Sequence, residues 1–264
     1  MNFQTPILFT IFNRPHETRR VFDEIRKIRP KYLFISADGP RNQEEQQKCE
    51  QTREVVKNID WDCIVKTKFE EKNLGCKMAM AGAISWFFEN VEQGIILEDD
   101  CVPHQDFFGF CEVLLEKYKT ENKIMMISGN NFQNGIKRGG ASYYFSKFIH
   151  IWGWATWGRA WKFYDINLTD NPTLDTWDYQ WQNSISKVSG LCILPNTNLV
   201  SNIGFGESAT HTKKSDSTKS NLKTNSLGEI THPDKIEINK DADKYTKSKL
   251  YPRSFIQKIK KLFT

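Results

Sequence analysis

The sequence predicts an α/β protein in which a mostly parallel β-sheet is flanked by helices. Two observations favour this class. Short apolar runs alternate with segments whose apolar residues recur at helical spacing, and Gly, Pro and Asn occur between them. Parallel strands need crossover connections, so this alternation is typical of a parallel sheet. The chain has 264 residues, including 18 Phe and 8 Trp, which is enough for one large domain with a sizeable core.

The first half of the chain divides into repeated strand and helix units. Residues 5–12 form a predicted buried strand, and Pro15 then opens a helix on which Val21, Phe22 and Ile25 recur at helical spacing. The predicted elements that follow are a strand at 32–38, a polar helix around 42–58, a strand near 63–69, a helix carrying Ala83, Ile84, Phe87 and Phe88, and a strand at 94–97.

Polar residues follow three of these strands directly. Asn13 and Arg14 follow the first strand, Asp38 ends the second, and Glu98-Asp99-Asp100 ends the strand at 94–97. In parallel sheets, ligands bind at the carboxyl ends of the strands. We therefore expect these residues to converge on one site.

The run Glu98-Asp99-Asp100 is the most informative motif. Three adjacent carboxylates repel one another, and a hard cation such as Mg²⁺ or Mn²⁺ between them and a bound phosphate relieves that repulsion. The alternative is an acidic strand end that is merely solvated. The context of the other strand ends favours the metal site, and with it phosphate-transfer or glycosyl-transfer chemistry.

The second half has a different composition. A helix at 107–118 and a strand at 124–127 are followed by residues 151–161, which contain four Trp and two Gly. This segment suits a close-packed turn and helix that line a cleft, where flat aromatic faces can stack on sugar rings. The alternative is that these rings pack a Trp-rich core.

Charge and cysteine content restrict the class of protein. The formal charge is +5, but residues 213–264 carry 13 Lys/Arg against 6 Asp/Glu, so the body is nearly neutral. This distribution argues against nucleic acid as a partner. The six Cys show no Cys-x-x-Cys pair, and the sequence shows no secretory signal or membrane span, so we expect a cytoplasmic protein with reduced thiols.

The predicted organisation is one domain at 1–212 and a basic mobile loop or tail at 213–264. We expect this domain to have two halves, at 1–105 and 106–212. Residues 254–263 place apolar groups on one helical face and lysines on the other. Such an amphipathic helix can lie on an anionic membrane surface at the inner face of the plasma membrane, or it can dock on the domain.

Together these motifs resemble a known family over about residues 5–212. The chain resembles metal-dependent glycosyltransferases of the GT-A fold, a Rossmann-like nucleotide-diphospho-sugar transferase fold. In particular, it resembles bacterial relatives of the inverting N-acetylglucosaminyltransferase that initiates complex N-glycan branches. The most specific match is Glu98-Asp99-Asp100 followed by Pro103 and Asp106-Phe107-Phe108.

The resemblance implies that residues 1–105 form a nucleotide-binding half and residues 106–212 an acceptor-binding half. Asp100 would bind the Mn²⁺ or Mg²⁺ directly, with Glu98 and Asp99 orienting the nucleotide-sugar or the waters of the metal. Asn13, Arg14 and Asp38 lie where this fold reads the nucleotide, and Asp38 could accept a hydrogen bond from a uracil imide. Lys77 is a candidate partner of the base or the diphosphate.

It also implies roles in the second half. Gly153-Trp154 resembles a segment that binds the acceptor, and Trp177-Asp178 resembles a pair whose Asp is the catalytic base. The spacing to the next Trp is one residue longer here, so Asp175 stays an alternative base. Residues 204–211 resemble the segment before a loop that closes over the donor, where His211 would complete the metal shell or touch the diphosphate; a structural His is the alternative.

The expected function is therefore transfer of a sugar from a nucleoside diphosphate, with a UDP-sugar as the donor, to a glycan or lipid-linked acceptor in bacterial surface polysaccharide synthesis. One alternative is a sugar-1-phosphate nucleotidyltransferase. That class normally needs a Gly-rich loop after the first strand, and residues 11–15 contain no Gly. A second alternative is a non-catalytic nucleotide-sugar or glycan-binding protein.

Overall fold

The first half of the chain folds as the predicted alternation of strands and helices. The computed structural model describes residues 3–169, 176–205 and 220–250. The elements of this half are β1 (Ile7–Ile11), α1 (Pro15–Ile28), β2 (Tyr32–Ala37), α2 (Gln43–Val55), β3 (Ile64–Phe69), α3 (Gly75–Phe88) and β4 (Gln93–Glu98).

Local sequence explains where the first two helices begin. Pro15 occupies the first turn of α1, where its fixed φ suits a helix and its missing N–H costs nothing. α2 begins behind Asn42, whose side-chain oxygen accepts a hydrogen bond from the backbone N–H of Glu45 at 3.0 Å. Arg29 ends α1 in the left-handed conformation with φ 47°.

The second half is less regular and adds further strands and helices. They are β5 (Cys101–Pro103), α4 (Gln105–Lys117), β6 (Ile124–Ser128), β7 (Tyr143–Ser146), β8 (Trp154–Trp157), α5 (Gly158–Trp161), α6 (Asp178–Lys187), β9 (Leu191–Pro195), β10 (Val200–Asn202) and α7 (Lys240–Leu250).

Within the described residues, eight strands form one sheet in the order β3-β2-β1-β4-β8-β6-β9-β7. β3, β2, β1 and β4 pair in parallel, as do β6 and β9, whereas β8 is antiparallel to both of its neighbours and β7 is antiparallel to β9. β10 and β5 form a separate two-stranded ribbon. The prediction of a mostly parallel sheet flanked by helices is confirmed.

Helices cover both faces of the sheet, which buries β1 completely. Successive residues of β1 alternate between two cores: Phe9 packs with residues of α1, α2 and α4, while Leu8 packs with residues of α3, α5 and α6. The carboxyl ends of β1, β2 and β4 lie side by side at one edge, which is where the site is built.

The Trp-rich segment lies mainly in the core. The sequence predicted a turn and a helix lining a cleft, but residues 154–157 form strand β8 between β4 and β6, and only the helical turn α5 follows. Trp154 is 0% exposed and stacks on Trp177 with ring centroids 5.5 Å apart. Every residue of β8 is buried, and a strand buried on both faces is mostly apolar, so Trp154 and Trp157 pack the core as the alternative prediction states.

Residues 220–250 pack on the domain, whereas the sequence predicted a mobile loop or tail there. Ser146 Oγ donates to Asp243 Oδ1 of α7 at 2.6 Å, and Gln133 Nε2 donates to Thr246 Oγ1 at 2.9 Å. Ala242 of the same helix is buried. The docking depends on hydrogen bonds made by side chains far apart in sequence, which apolar periodicity does not detect.

Three predicted features fall outside the described residues. These are the alternative base Asp175, His211 and the amphipathic segment 254–263. Within the described ranges, no helix combines the length and apolar character needed to cross a bilayer.

Candidate functional site

A cavity of about 400 Å³ lies at the carboxyl ends of β1, β2 and β4. Its first-half wall includes Thr10, Ser36, Asp38 and residues of α3, and its second-half wall includes segments 151–152, 176–178 and 202–205. The cavity therefore spans the two halves of the chain. A volume of this size is typical of a small-molecule site.

The three carboxylates of the β4 end line this cavity. Glu98 is the last residue of β4, and Asp99 and Asp100 form the turn into β5. The backbone N–H of Phe12 donates to Asp99 Oδ2 at 3.1 Å, which fixes the turn against the end of β1. Asp99 is 2% exposed, and its burial raises its pKa to about 6 although the charge of Arg14 opposes the shift.

Arg14 bridges the two aspartates. Its Nη2 lies 2.5 Å from Asp99 Oδ1, and its Nη1 lies 2.9 Å from Asp100 Oδ2. Burial alone would lower the pKa of Arg14, but the two carboxylates outweigh that effect and raise it above its usual value. Arg14 thus belongs to the acid cluster and does not project freely toward a ligand.

Glu98 forms no ion pair within the described part of the chain, although the charge of Arg14 lowers its pKa somewhat. In the same part of the chain, its buried Oε1 has no hydrogen-bond partner. Burial, followed by the charges of Asp100 and Asp99, raises the pKa of Glu98 well above its usual value. The charge of Asp178 adds to this shift, which places Asp178 within electrostatic reach of Glu98.

Asp178 lines the same cavity from the second half of the chain. It is the first residue of α6, where the positive end of the helix favours a carboxylate. The hydroxyl of Thr176 donates to Asp178 Oδ1. The structure therefore brings Asp178 and the acid cluster to one space, although 78 residues separate Asp178 from Asp100 in the sequence. The alternative, Asp175, lies outside the described residues.

Asp38 lines the cavity with its carboxylate already engaged. Its Oδ1 accepts from the backbone N–H of Gly39 at 2.8 Å and of Leu74 at 2.9 Å, and its Oδ2 accepts from Asn73 Nδ2 at 2.8 Å. Burial nevertheless raises the pKa of Asp38. These bonds join the loops after β2 and β3, so Asp38 shapes the wall as well as facing the space.

The remaining predicted residues lie around the cavity rather than on it, as far as the structure describes its lining. Asn13 Nδ2 donates to Glu45 Oε1 at 2.9 Å. Lys77 is half-buried on α3. Trp154 is in the core, and Gly153 packs beneath the site with φ 64°, where a Cβ would lie 2.7 Å from Val200 Cγ2.

Several lining residues were not predicted. Arg41 lies over the ring of Phe12 with 5.5 Å between its Cζ and the ring centroid, and Asn202 Nδ2 lies 3.4 Å from Asp100 Oδ1. Trp152 and Phe205 meet edge to face at 5.6 Å. Trp152 belongs to the predicted aromatic segment, and Phe205 belongs to the predicted segment 204–211. No sequence motif around Asn202 or Arg41 indicates that they line the cavity.

Gly204 packs directly on the acid cluster. A Cβ at this position would lie 2.0 Å from Asp100 Oδ2 and 2.7 Å from Arg14 Nη1. Real Cβ atoms do not approach other heavy atoms so closely. Only glycine leaves room here for the Arg14–Asp100 ion pair.

The donor set fits a divalent cation of the Mg²⁺ or Mn²⁺ kind. Among the described residues, no group of three His, Cys, Asp or Glu is arranged to hold a metal ion. Magnesium, however, is commonly held by one or two carboxylates together with substrate phosphates and waters. Glu98 Oε1, which has no hydrogen-bond partner among the described residues, and Asp100 supply such hard oxygen donors. The guanidinium of Arg14 contacts only Asp99 and Asp100 of the three carboxylates.

No protein-family model and no curated protein matches this chain. Among solved structures, the chain is similar to GalNAc-T7, whose crystal structure contains UDP, GalNAc and Mn²⁺. The TM-score is 0.52 at 13% sequence identity, and the match covers 79% of this chain and 45% of that one. The chain therefore spans less than half the length of GalNAc-T7.

Two further solved structures are less similar to this chain. UDP-glucose pyrophosphorylase complexed with UDP-glucose gives a TM-score of 0.45 at 9% identity, covering 74% of this chain and 90% of that one. A cytidylyltransferase from Leptospira borgpetersenii gives a TM-score of 0.37 at 9% sequence identity. The match covers 61% of this chain and 63% of that one. Together with the sheet order, the likeness to GalNAc-T7 shows that the chain has a GT-A or Rossmann-like α/β fold.

Proposed function

We propose that this protein is a metal-dependent glycosyltransferase that moves a sugar from a UDP-sugar to a hydroxyl of a glycan or lipid-linked acceptor, with inversion at the anomeric carbon. The observation that carries the proposal is the convergence of Asp178 with Glu98 and Asp100 on one cavity. A leaving-group site and a base site on facing halves of the chain are what a single displacement needs.

The acid cluster is the proposed site of the departing diphosphate. Asp100 and Glu98 would hold a divalent cation, which when bound neutralises the charge that develops on the leaving group. Asp99 is tied to the backbone of Phe12 and so keeps the turn in place. This assigns Asp100 and Glu98 to the cation and Asp99 to positioning.

Asp178 is the proposed general base. An acceptor hydroxyl must lose its proton as it attacks, and an ionised carboxylate within hydrogen-bond reach accepts it. The hydroxyl of Thr176 fixes one carboxylate oxygen, which leaves the other to face the acceptor. Trp152 and Phe205 at the same wall provide aromatic surface for the sugar rings.

The test is release of nucleoside diphosphate from a panel of nucleotide-sugars, with and without Mn²⁺. We expect metal-dependent release from one donor by the wild-type protein. Asp100→Ala should abolish transfer and metal-dependent nucleotide binding. Asp178→Asn should keep donor binding and lose about a hundredfold or more of the transfer rate, within the range for a lost general base.

The matched control is Asp234→Asn, which neutralises an exposed aspartate of the chain. It should transfer at the wild-type rate. Near-normal turnover by Asp178→Asn would contradict the base assignment, and release of pyrophosphate with formation of a nucleotide-sugar would point to a nucleotidyltransferase instead. Binding of metal and nucleotide without any turnover would point to a binding protein.

We also propose that the reaction serves bacterial surface polysaccharide synthesis at the cytoplasmic face of the membrane. The proposal rests on the amphipathic pattern of residues 254–263, which carries Lys258, Lys260 and Lys261 opposite its apolar face. Lysines on such a face are attracted to anionic lipids.

A further inference from the structure

Arg14 occupies the place where a cation is needed. Its guanidinium contacts both Asp99 and Asp100, and it is 14% exposed at the side chain. Gly204 closes over this pair from the other side, so Asp100 Oδ2 is enclosed between a cation and the backbone. A second cation cannot bind that oxygen at full strength while Arg14 holds it, because the two positive charges would repel each other at contact distance.

Arg14 also carries an unused donor. Its Nε is buried and has no hydrogen-bond partner among the residues that the structure describes, although Arg14 lines the cavity. A buried, unsatisfied N–H costs free energy until an acceptor reaches it. An anionic oxygen entering the cavity would satisfy Nε and offer the guanidinium an alternative to Asp100. Arginine favours such oxygens because its planar fork binds them in pairs.

We propose that Arg14 makes divalent-cation binding conditional on the diphosphate of the donor. Without the diphosphate, the guanidinium neutralises Asp100 and excludes the metal. When the diphosphate enters, Arg14 transfers its contact from Asp100 to a phosphate oxygen, and Asp100 becomes available as a ligand beside Glu98. The inference rests on the proposed function, since it assumes a metal and a nucleoside diphosphate at this site.

This arrangement selects for the complete donor. A nucleoside without phosphates cannot draw the guanidinium away, so it cannot open the cation site. A free cation cannot displace Arg14 efficiently either, because it must first break the contacts of the guanidinium with both aspartates. Arg14 is therefore a specificity-determining residue that responds to the phosphates of the donor.

The experiment is a titration of Mn²⁺ followed by electron paramagnetic resonance of the free ion, which measures metal binding without turnover. It uses the wild-type protein and the Arg14→Gln and Arg14→Lys variants, each alone, with UDP and with uridine. Arg26→Gln is the matched control, because Arg26 forms an exposed ion pair with Asp60 at 3.0 Å. Thermal unfolding with and without Mn²⁺ shows that each variant is folded and reports binding a second time.

We expect the wild-type protein to bind Mn²⁺ weakly alone and about tenfold or more tightly with UDP, while uridine has no effect. Arg14→Gln should bind Mn²⁺ alone about tenfold or more tightly than the wild type, so that the dependence on UDP shrinks. Arg14→Lys should fall between them, since an ammonium cannot bridge both aspartates. Arg26→Gln should behave as the wild type.

The proposal is overturned if the wild type binds Mn²⁺ in the presence of UDP but Arg14→Gln and Arg14→Lys, once folded, bind Mn²⁺ alone no better than the wild type does. It is also overturned if uridine tightens Mn²⁺ binding as much as UDP does. The proposed function fails in a different way, through absence of Mn²⁺ binding by every variant even with UDP, or through metal binding without turnover of any nucleotide-sugar.

Discussion

Gly204→Ala is the sharpest single test of the site geometry. The added Cβ would lie 2.0 Å from Asp100 Oδ2, whereas ordinary contact begins at 3.4 Å, so one of the two groups must move by about 1.4 Å (3.4 Å minus 2.0 Å). The Arg14–Asp100 hydrogen bond is 2.9 Å long and does not survive such a displacement. A hydrogen bond between charged groups contributes about 1.5–3 kcal/mol, so we expect a loss of about 2–3 kcal/mol in the free energy of unfolding.

The substitution should also reduce turnover. A displacement of about 1 Å at a catalytic centre can cost about a hundredfold in rate, and Asp100 is a proposed ligand of the leaving-group cation. Urea unfolding measures the first effect, and release of nucleoside diphosphate measures the second. Both readouts should change together, since the same contact causes them.

Gly109→Ala is the matched control. Gly109 lies in the exposed interior of α4, and a Cβ there would meet nothing within 4 Å. Alanine is the better helix former by about 1 kcal/mol, so this variant should be slightly more stable and fully active. If Gly204→Ala matched Gly109→Ala in stability and activity, the close packing of Gly204 on the acid cluster would be refuted.

Three further predictions concern other parts of the chain. His150 is buried, and burial lowers its pKa from 6.5 to about 4. The neutral imidazole is therefore compatible with the fold above pH 6.5, and the free energy of unfolding should fall by up to about 3 kcal/mol as the pH drops from 6.5 to 4. In urea unfolding at several pH values, His150→Asn should reduce this dependence and His16→Asn, at an exposed position, should not; equal profiles for the two variants would contradict the reasoning. Trp152→Ala should raise the KM for the acceptor without unfolding the protein, because Trp152 lines the cavity. Trp154→Ala should lower the free energy of unfolding by about 3–5 kcal/mol, because Trp154 is buried in the core. A larger loss of stability for Trp152→Ala than for Trp154→Ala in urea unfolding would contradict these placements. Deletion of residues 254–264 should weaken sedimentation with anionic vesicles and spare activity on a soluble acceptor, so unchanged sedimentation would refute the membrane contact.

Sequence predicts best where one local pattern determines the structure. The apolar runs that became β1, β2 and β4 are short, continuous and followed by polar residues, and these features alone place Asp38 and Glu98 at one sheet edge. The helical spacing of Val21, Phe22 and Ile25 likewise predicts the buried face of α1. Each of these inferences needs only a short window of sequence.

Sequence predicts least where the outcome depends on contacts between distant segments. Arg14 pairs with Asp100 across 86 residues. The strand ends predict that the two residues lie at one site, but nothing in the sequence predicts that they form an ion pair with each other. Trp154 and Trp152 are two residues apart in one aromatic run, yet one lies in the core and the other lines the cavity. Only the pairing of β8 with both β4 and β6 decides between them.

The insertion of β8 between β4 and β6 bears on how the chain is made. During synthesis β4 is made well before β8. Until β8 is present, the edge of β4 at Gly94 and Ile96 lacks the strand that pairs with it in the finished sheet. An open strand edge of this kind invites pairing with other chains. A fragment that stops before residue 154 would contain the whole acid cluster and still be prone to aggregate. We infer that the ribosome must deliver about 60 further residues before the strand that carries the carboxylates is protected.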